Sequence, residues 1–196
     1  SATRALESMG FKQPITPTAD ARSSSDFCYP LHPLKVQNAQ RPNIVFLFID
    51  SWNKRTLTPE TMPHVYRFAT ESQWYDNHFS CSNGTRTSIF GLFFSVPGHY
   101  WDSFVPSHVS PVFIDELLAE GYQLRIHGSA TLVDPPFASA IFQRVPHLQI
   151  STPGATTYDR DSRITTDFIR ELPTLKRQAP FFAFLFYDLA HSFEYP

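Results

Sequence analysis

Cysteine is scarce: Cys28 and Cys81 are the only two in 196 residues, too few for a disulfide framework or a cysteine metal motif. They fit either one bridge in an oxidising compartment or two free thiols. Charge is also low, with Asp, Glu, Lys and Arg at 17%, which argues against a disordered or coiled-coil chain. Neither sign dominates. The formal net charge is −2, so the basic footprint of a nucleic-acid binder is missing. The longest apolar runs, 44–49 and 180–187, fall far short of the ~18 residues that a membrane span needs. No signal-peptide pattern and no internal repeat is legible, and numbering from Ser1 fits a chain cut from a longer one.

What is present is apolar and aromatic. Hydrophobic residues make up 42%, with 19 Phe, enough for one domain with a proper core. Residues 1–40 differ from the rest. They carry Pro14, Pro17, Pro30 and Pro33 and the polar run Ala21-Arg22-Ser23-Ser24-Ser25-Asp26. This composition predicts a surface arm or linker with a short helix near residues 4–9. Residues 29–34 are expected to be extended, because proline disfavours helix for itself and its predecessor.

The core begins at Pro42. Asn43-Ile44-Val45-Phe46-Leu47-Phe48-Ile49 is continuous, β-branched and aromatic, the pattern of a strand covered on both faces. It ends in Asp50-Ser51. Pro59-Glu60-Thr61-Met62-Pro63 opens a helix with Met62, Val65, Tyr66 and Ala69 at helical spacing. Residues 74–79 read as a second strand. Small polar residues, Ser80-Cys81-Ser82-Asn83, then cross Gly84 into a helix over 85–94 whose far half is apolar. A helix over 111–120, ended by Gly121, leads to a strand over 122–127. A helix over 136–144, a short strand over 147–150 and a helix over 161–172 follow. Phe181-Phe182-Ala183-Phe184-Leu185-Phe186-Tyr187 is the second continuous apolar strand. Strands alternating with helices, the strongest of them without in/out alternation, define an α/β fold with a largely parallel central sheet.

In such sheets ligands sit at the carboxyl ends of the strands. Asp50, Thr85 and the stretch from Asp188 to His191 are therefore expected on one edge. Asp50 suits a hard-cation or zinc ligand, because a rigid strand fixes its carboxylate; capping a turn suits it equally. Thr85 fits a nucleophile if a metal eases formation of the alkoxide, and it also fits an ordinary helix N-cap. Arg86 fits a bidentate binder of phosphate or sulfate oxygens, or a solvated surface arginine. His191 suits a metal ligand or a proton donor to a leaving group, and a lone loop histidine often does neither. Cys81 at the helix mouth has no catalytic histidine at a diagnostic spacing.

Taken in order, the strand ending in Asp50, the Pro59–Met62 helix start, Gly84-Thr85 and the Phe-rich strand before His191 resemble the alkaline phosphatase/sulfatase superfamily. Tyr29-Pro30-Leu31, Asn77-His78-Phe79-Ser80, Ile89-Phe90-Gly91-Leu92-Phe93 and Gly121-Tyr122-Gln123-Leu124 narrow the resemblance. They point to the lipoteichoic acid synthase-like branch and the periplasmic domain of YejM (PbgA)-type inner-membrane proteins. The resemblance covers about residues 28–196. It implies a three-layer α/β/α sandwich, of which residues 41–196 are the N-terminal part, with residues 1–40 as a membrane-proximal arm. It implies Asp50 and Thr85 at a divalent metal ion (zinc, manganese or magnesium), Thr85 as nucleophile, and His191 near the substrate or the metal; Arg86, read above as an oxyanion binder, stands next to that nucleophile in sequence. It further implies a lipid or phosphate-ester substrate and attachment to the bacterial inner membrane, on its periplasmic face, through an upstream spanning region. Cys81-Ser82-Asn83-Gly84-Thr85 lacks the Cys-x-Pro-Ser-Arg pattern of sulfatases, and Ser51 and Asn53 stand where enzymes of the superfamily carry charge. Sulfate-ester hydrolysis is therefore not expected. Two functions stay open: phosphoric-ester hydrolysis or head-group transfer, and catalytically inactive binding and sensing of lipid A or lipopolysaccharide. The superfamily's later Asp-His ligand pair is expected beyond Pro196.

Overall fold

The computed structural model describes residues 28–34, 36 and 40–192. The expected helix near residues 4–9 and the polar run 21–26 lie outside the described residues. The chain divides into two units after His32. In the first, residues 29–32 form bends rather than the expected extended stretch.

Three strands form one parallel sheet. β1 (Ile44–Ile49), β2 (Gln123–Gly128) and β3 (Phe181–Tyr187) are arranged in the order β1-β3-β2. β3 pairs with both neighbours, Ile44 opposite Phe182 and Gln123 opposite Phe181. Asn43 Oδ1 accepts from the Phe181 N–H at 3.2 Å, which aligns the two strand starts. The central strand is buried along all but its last residue, so an apolar residue is needed at every position and no alternation survives.

Between β1 and β2 the chain forms α1 (Pro63–Thr70), α2 (Thr85–Phe94), a single turn α3 (Trp101–Phe104) and α4 (Val112–Ala119). α4 ends with Gly121 at φ 77°. There the Tyr122 and Gly121 N–H groups return to the Leu117 and Leu118 carbonyls, a glycine-dependent helix stop. Between β2 and β3 lie the short turn α5 (Phe137–Ala140) and the long α6 (Thr157–Gln178). α6 opens on a capping box in which Thr156 Oγ1 accepts from the Asp159 N–H and the Asp159 carboxylate accepts from the Thr156 N–H. The turn α7 (Leu189–Ser192) follows β3.

The core lies on both faces of β3. On one, the Phe93 ring of α2 stands within 5.1–6.4 Å of the Phe142, Phe184, Phe113, Phe182 and Phe46 rings, mostly tilted or edge-on, the geometry aromatic quadrupoles favour. On the other, Phe181, Ala183 and Leu185 pack against Leu175, with Phe168 and Leu172 of α6 at the margin.

Several sequence expectations change here. β1 is not covered on both faces: Val45 and Leu47 are 46% and 58% exposed. They share a face with Ala183 and Leu185, which α6 covers, but among the described residues α6 does not reach across β1. Residues 74–79 are not a strand, and Trp74, Tyr75 and Phe79 are exposed. Their aromatic content satisfies strand propensity, yet the sheet pairs other segments. α1 forms as expected but buries none of its residues. The 136–144 helix shrinks to one turn and 147–150 forms no strand. The 161–172 helix, by contrast, extends in both directions and carries Pro173 inside it.

Candidate functional site

Three chain segments meet at the carboxyl edge of the sheet. The Asp50 N–H extends the β1 ladder by donating to the Tyr187 carbonyl at 2.9 Å, so the Asp50 side chain leaves from a fixed backbone. Thr85 Oγ1 donates to Asp50 Oδ2 at 2.8 Å. Asp50 Oδ1 accepts from the Ser51 N–H, also at 2.8 Å. Ser51 takes a left-handed backbone, φ 55°, and its Oγ lies 2.9 Å from His191 Nδ1. That nitrogen is 3.7 Å from Asp50 Oδ2. Asp50, Asp188 and His191 each offer a donor atom, and these lie within 4.8 Å of one another.

Asp188 is held from behind. Its own N–H and that of Leu189 donate to the two carboxylate oxygens of Asp161 on α6, at 3.1 and 3.2 Å. Burial raises the Asp188 carboxyl above its ordinary value; the Asp50 and Asp161 carboxylates push the same way, while His191 and Arg160 oppose them. Two carboxylates beside an imidazole make a donor set of the type divalent ions prefer.

The mouth of α2 is built by hydroxyls. Thr87 Oγ1 donates to Ser82 Oγ at 2.7 Å, and Ser88 Oγ donates to the Ser82 carbonyl at 2.8 Å. The Gly84 N–H donates to Ser82 Oγ at 3.3 Å. These bonds fold the 80–84 loop onto the first helical turn and set Thr85 against β1. The N-cap is Gly84, with no side-chain cap, and Thr85 is the first helical residue. The N-cap role weighed for Thr85 is therefore filled by its neighbour, and the hydroxyl is spent on Asp50. With no side chain capping it, this helix end offers N–H groups to an anion.

The sequence-predicted site residues separate here. Asp50, Thr85 and His191 come together. The Arg86 guanidinium lies 5.6 Å over the Trp101 ring. Sequence reasoning missed Asp188 as a donor, although an Asp directly after an apolar strand is the same signal that picked out Asp50. Ser51 was read only as the loss of a charge. Asp161 left no local signal, since it acts through a turn 27 residues away. Cys28 and Cys81 are free thiols. Cys81 packs on α2, where a Cβ added at Gly91 would stand 2.7 Å from its sulfur.

A separate cleft of about 440 Å³ runs along β2, lined by Gln123 to His127, the 145–149 loop and Glu171. It is not lined by Asp50, Thr85, Asp188 or His191.

The fold and site define a parallel α/β domain with a hydroxyl, two carboxylates and an imidazole gathered at its strand ends. The chain is similar to inner membrane protein YejM of Salmonella typhimurium and of Salmonella typhi, 28% identical in each case over 66% of this chain and 21% of the relative. It is 30% identical to an uncharacterized protein of Haemophilus influenzae, over 76% of this chain and 25% of the relative. The chain thus spans a quarter or less of the length of these curated relatives. No family model matches it. Among the described residues no helix is long and apolar enough to cross a membrane.

Proposed function

We propose that the chain is the N-terminal part of a sulfatase-superfamily periplasmic domain, with residues 1–40 as its membrane-proximal arm and an α/β/α sandwich as its architecture. In this reading it acts at the inner membrane on a phosphoric ester, by hydrolysis or head-group transfer, with a divalent ion (zinc, manganese or magnesium) held by Asp50, Asp188 and His191. The observation that carries the reading is the 2.8 Å hydrogen bond from Thr85 Oγ1 to Asp50 Oδ2, made at the mouth of an uncapped helix.

A divalent ion at this edge would lower the free-energy cost of ionising the Thr85 hydroxyl and neutralise charge on the phosphoryl group. The rest falls to the chain. Asp50 Oδ2, which accepts the Thr85 Oγ1 hydrogen bond, takes that proton as Oγ1 bonds to phosphorus and the bond from phosphorus to the ester oxygen breaks, the departing oxygen taking a proton from water. Water or an acceptor hydroxyl then displaces Thr85 from phosphorus, and its proton returns to Oγ1. The first N–H groups of α2 face the phosphoryl oxygens. Asp161 holds Asp188 in place through the backbone turn.

The test is turnover of a chromogenic phosphate monoester and diester with added manganese or zinc. Thr85→Ala is expected to lower kcat by at least about a thousandfold. An unchanged rate in that variant rules the reading out.

A second reading has its own support: a catalytically inactive lipid-binding and sensing domain. Arg86 lies over Trp101, and Asn53 caps the turn that follows β1, accepting from the Arg55 N–H. Two positions where an enzyme of this type would place charge on its substrate are thus otherwise engaged. Here Thr85→Ala leaves binding to vesicles containing anionic lipid unchanged, and no ester is turned over.

A further inference from the structure

Ser51 joins the site in a way that its sequence position does not suggest. It follows β1 directly, adopts φ 55°, a region that is uncommon for a residue with a Cβ, and places its hydroxyl 2.9 Å from His191 Nδ1. The same nitrogen lies 3.7 Å from Asp50 Oδ2. Both oxygens of Asp50 already accept hydrogen bonds, from Ser51 N–H and Thr85 Oγ1, so the carboxylate is anchored as an acceptor on that side of the ring.

A neutral imidazole carries one proton, on either nitrogen, and its partners decide which. A bare lone pair on Nδ1 would face a carboxylate oxygen at under 4 Å, an unfavourable pairing; a proton there faces the same oxygen favourably. The Ser51 hydroxyl can accept that proton's hydrogen bond, since a hydroxyl both donates and accepts. We propose that Asp50 and Ser51 together fix His191 as the Nδ1–H tautomer, with Nδ1–H donating to Ser51 Oγ and Nε2 left as the nitrogen with a free lone pair. Ser51 is then a positioning residue. It holds the ring in the state that can ligate a cation or take up a proton through Nε2, the arrangement in which an outer hydrogen bond orients a ligand histidine. The left-handed backbone is what brings the hydroxyl to the ring, and it gives Ser51 a role separate from charge.

The tautomer is a property of the ion-free chain, while its use by a substrate or cation rests on the function proposed above; the two can fail independently. The experiment is long-range proton–nitrogen correlation spectroscopy on the chain with nitrogen-labelled histidine, without divalent ions, at a pH where His191 is neutral, with its signals assigned by loss in His191→Gln. The expected result is a pyrrole-type Nδ1 and a pyridine-type Nε2. Ser51→Gly removes the hydroxyl while accommodating the positive φ, and is expected to move the population toward Nε2–H; Ser51→Ala, which keeps the Cβ, should do the same. Asp50→Asn is expected to move it further. A pyridine-type Nδ1 in the unaltered chain overturns the proposal, as does a tautomer that neither Ser51 variant alters. Absence of ester turnover alongside the expected spectra would count against the proposed function and leave this assignment standing.

Discussion

Thr85 and Asp50 lie 35 residues apart in sequence and share one hydrogen bond, Oγ1 to Oδ2 at 2.8 Å. A strand end and a helix start are brought within bonding distance by the β1–α2 connection. Asp50 keeps a local bond as well, Oδ1 accepting from the Ser51 N–H, while the Thr85 hydroxyl goes to Asp50 and Gly84 takes the cap position.

The surroundings of Asp188 disfavour its charged form. Its carboxyl is raised above the ordinary value, chiefly by burial. A raised folded-state value means that ionisation opposes folding once the pH exceeds it, so Asp188 costs stability at neutral pH. Asp188→Asn is expected to raise the ion-free melting temperature by about 2 °C, a small gain because the group is partly screened by solvent. The same variant should lose most of the stabilisation that manganese or zinc gives the unaltered chain. Thermal melts with and without the ion measure both.

His127 predicts a pH dependence of opposite sign from the same chief cause, burial. It is 9% exposed and faces Glu171 at 3.7 Å. Burial lowers its pKa below the ordinary 6.5, Arg125 adds to this, and Glu171 and Asp167 resist. Between the lowered value and 6.5 the unfolded chain binds more protons than the folded one, so stability rises with pH there. The contribution is fully present above about pH 6.5 and is lost as the pH falls toward the folded-state value. His127→Gln should flatten the dependence in urea unfolding series taken from pH 5 to 7.5.

Gly91 is required by contact rather than by conformation. A Cβ there would meet Cys81 Sγ at 2.7 Å, Cys81 Cβ at 2.8 Å and the Val96 carbonyl at 3.2 Å. Gly91→Ala gains helix propensity, about 1 kcal/mol, but overpacks the site, and a net loss of roughly 1–2 kcal/mol is expected. On a Cys81→Gly background the penalty should shrink, and the unfolding free energies of the four proteins give the coupling.

Most of the parallel fold was legible because β3 and the far half of α2 are apolar. Phe181–Tyr187 and Thr85–Phe94 form the expected strand and helix: β3 is buried at all but its last residue, and α2 passes from a polar first turn into the buried Ile89, Phe90, Phe93 and Phe94. Residues 74–79 misled for the same reason in reverse: aromatic content alone does not make a strand when no neighbour pairs with it. For β1 the expected coverage of both faces failed at Val45 and Leu47, a property of what packs beside the strand and not of the strand. In the site, Asp50, Thr85 and His191 were legible from their places at strand and helix ends. The contact of Arg86 with Trp101 was not, because it joins a long flexible side chain to a residue 15 positions on. Asp161 and Ser51 act through a backbone turn and a left-handed φ, and neither leaves a trace in residue type.

The proposed function stands on a divalent cation held by Asp50, Asp188 and His191 beside Thr85. Titration calorimetry of the ion-free chain with manganese and with zinc tests it most directly. One saturable site is expected for at least one of these ions, weakened at least about tenfold by Asp50→Asn and by Asp188→Asn and unaffected by Cys81→Ala. No saturable binding of either ion, or binding that both aspartate variants leave intact, would contradict it.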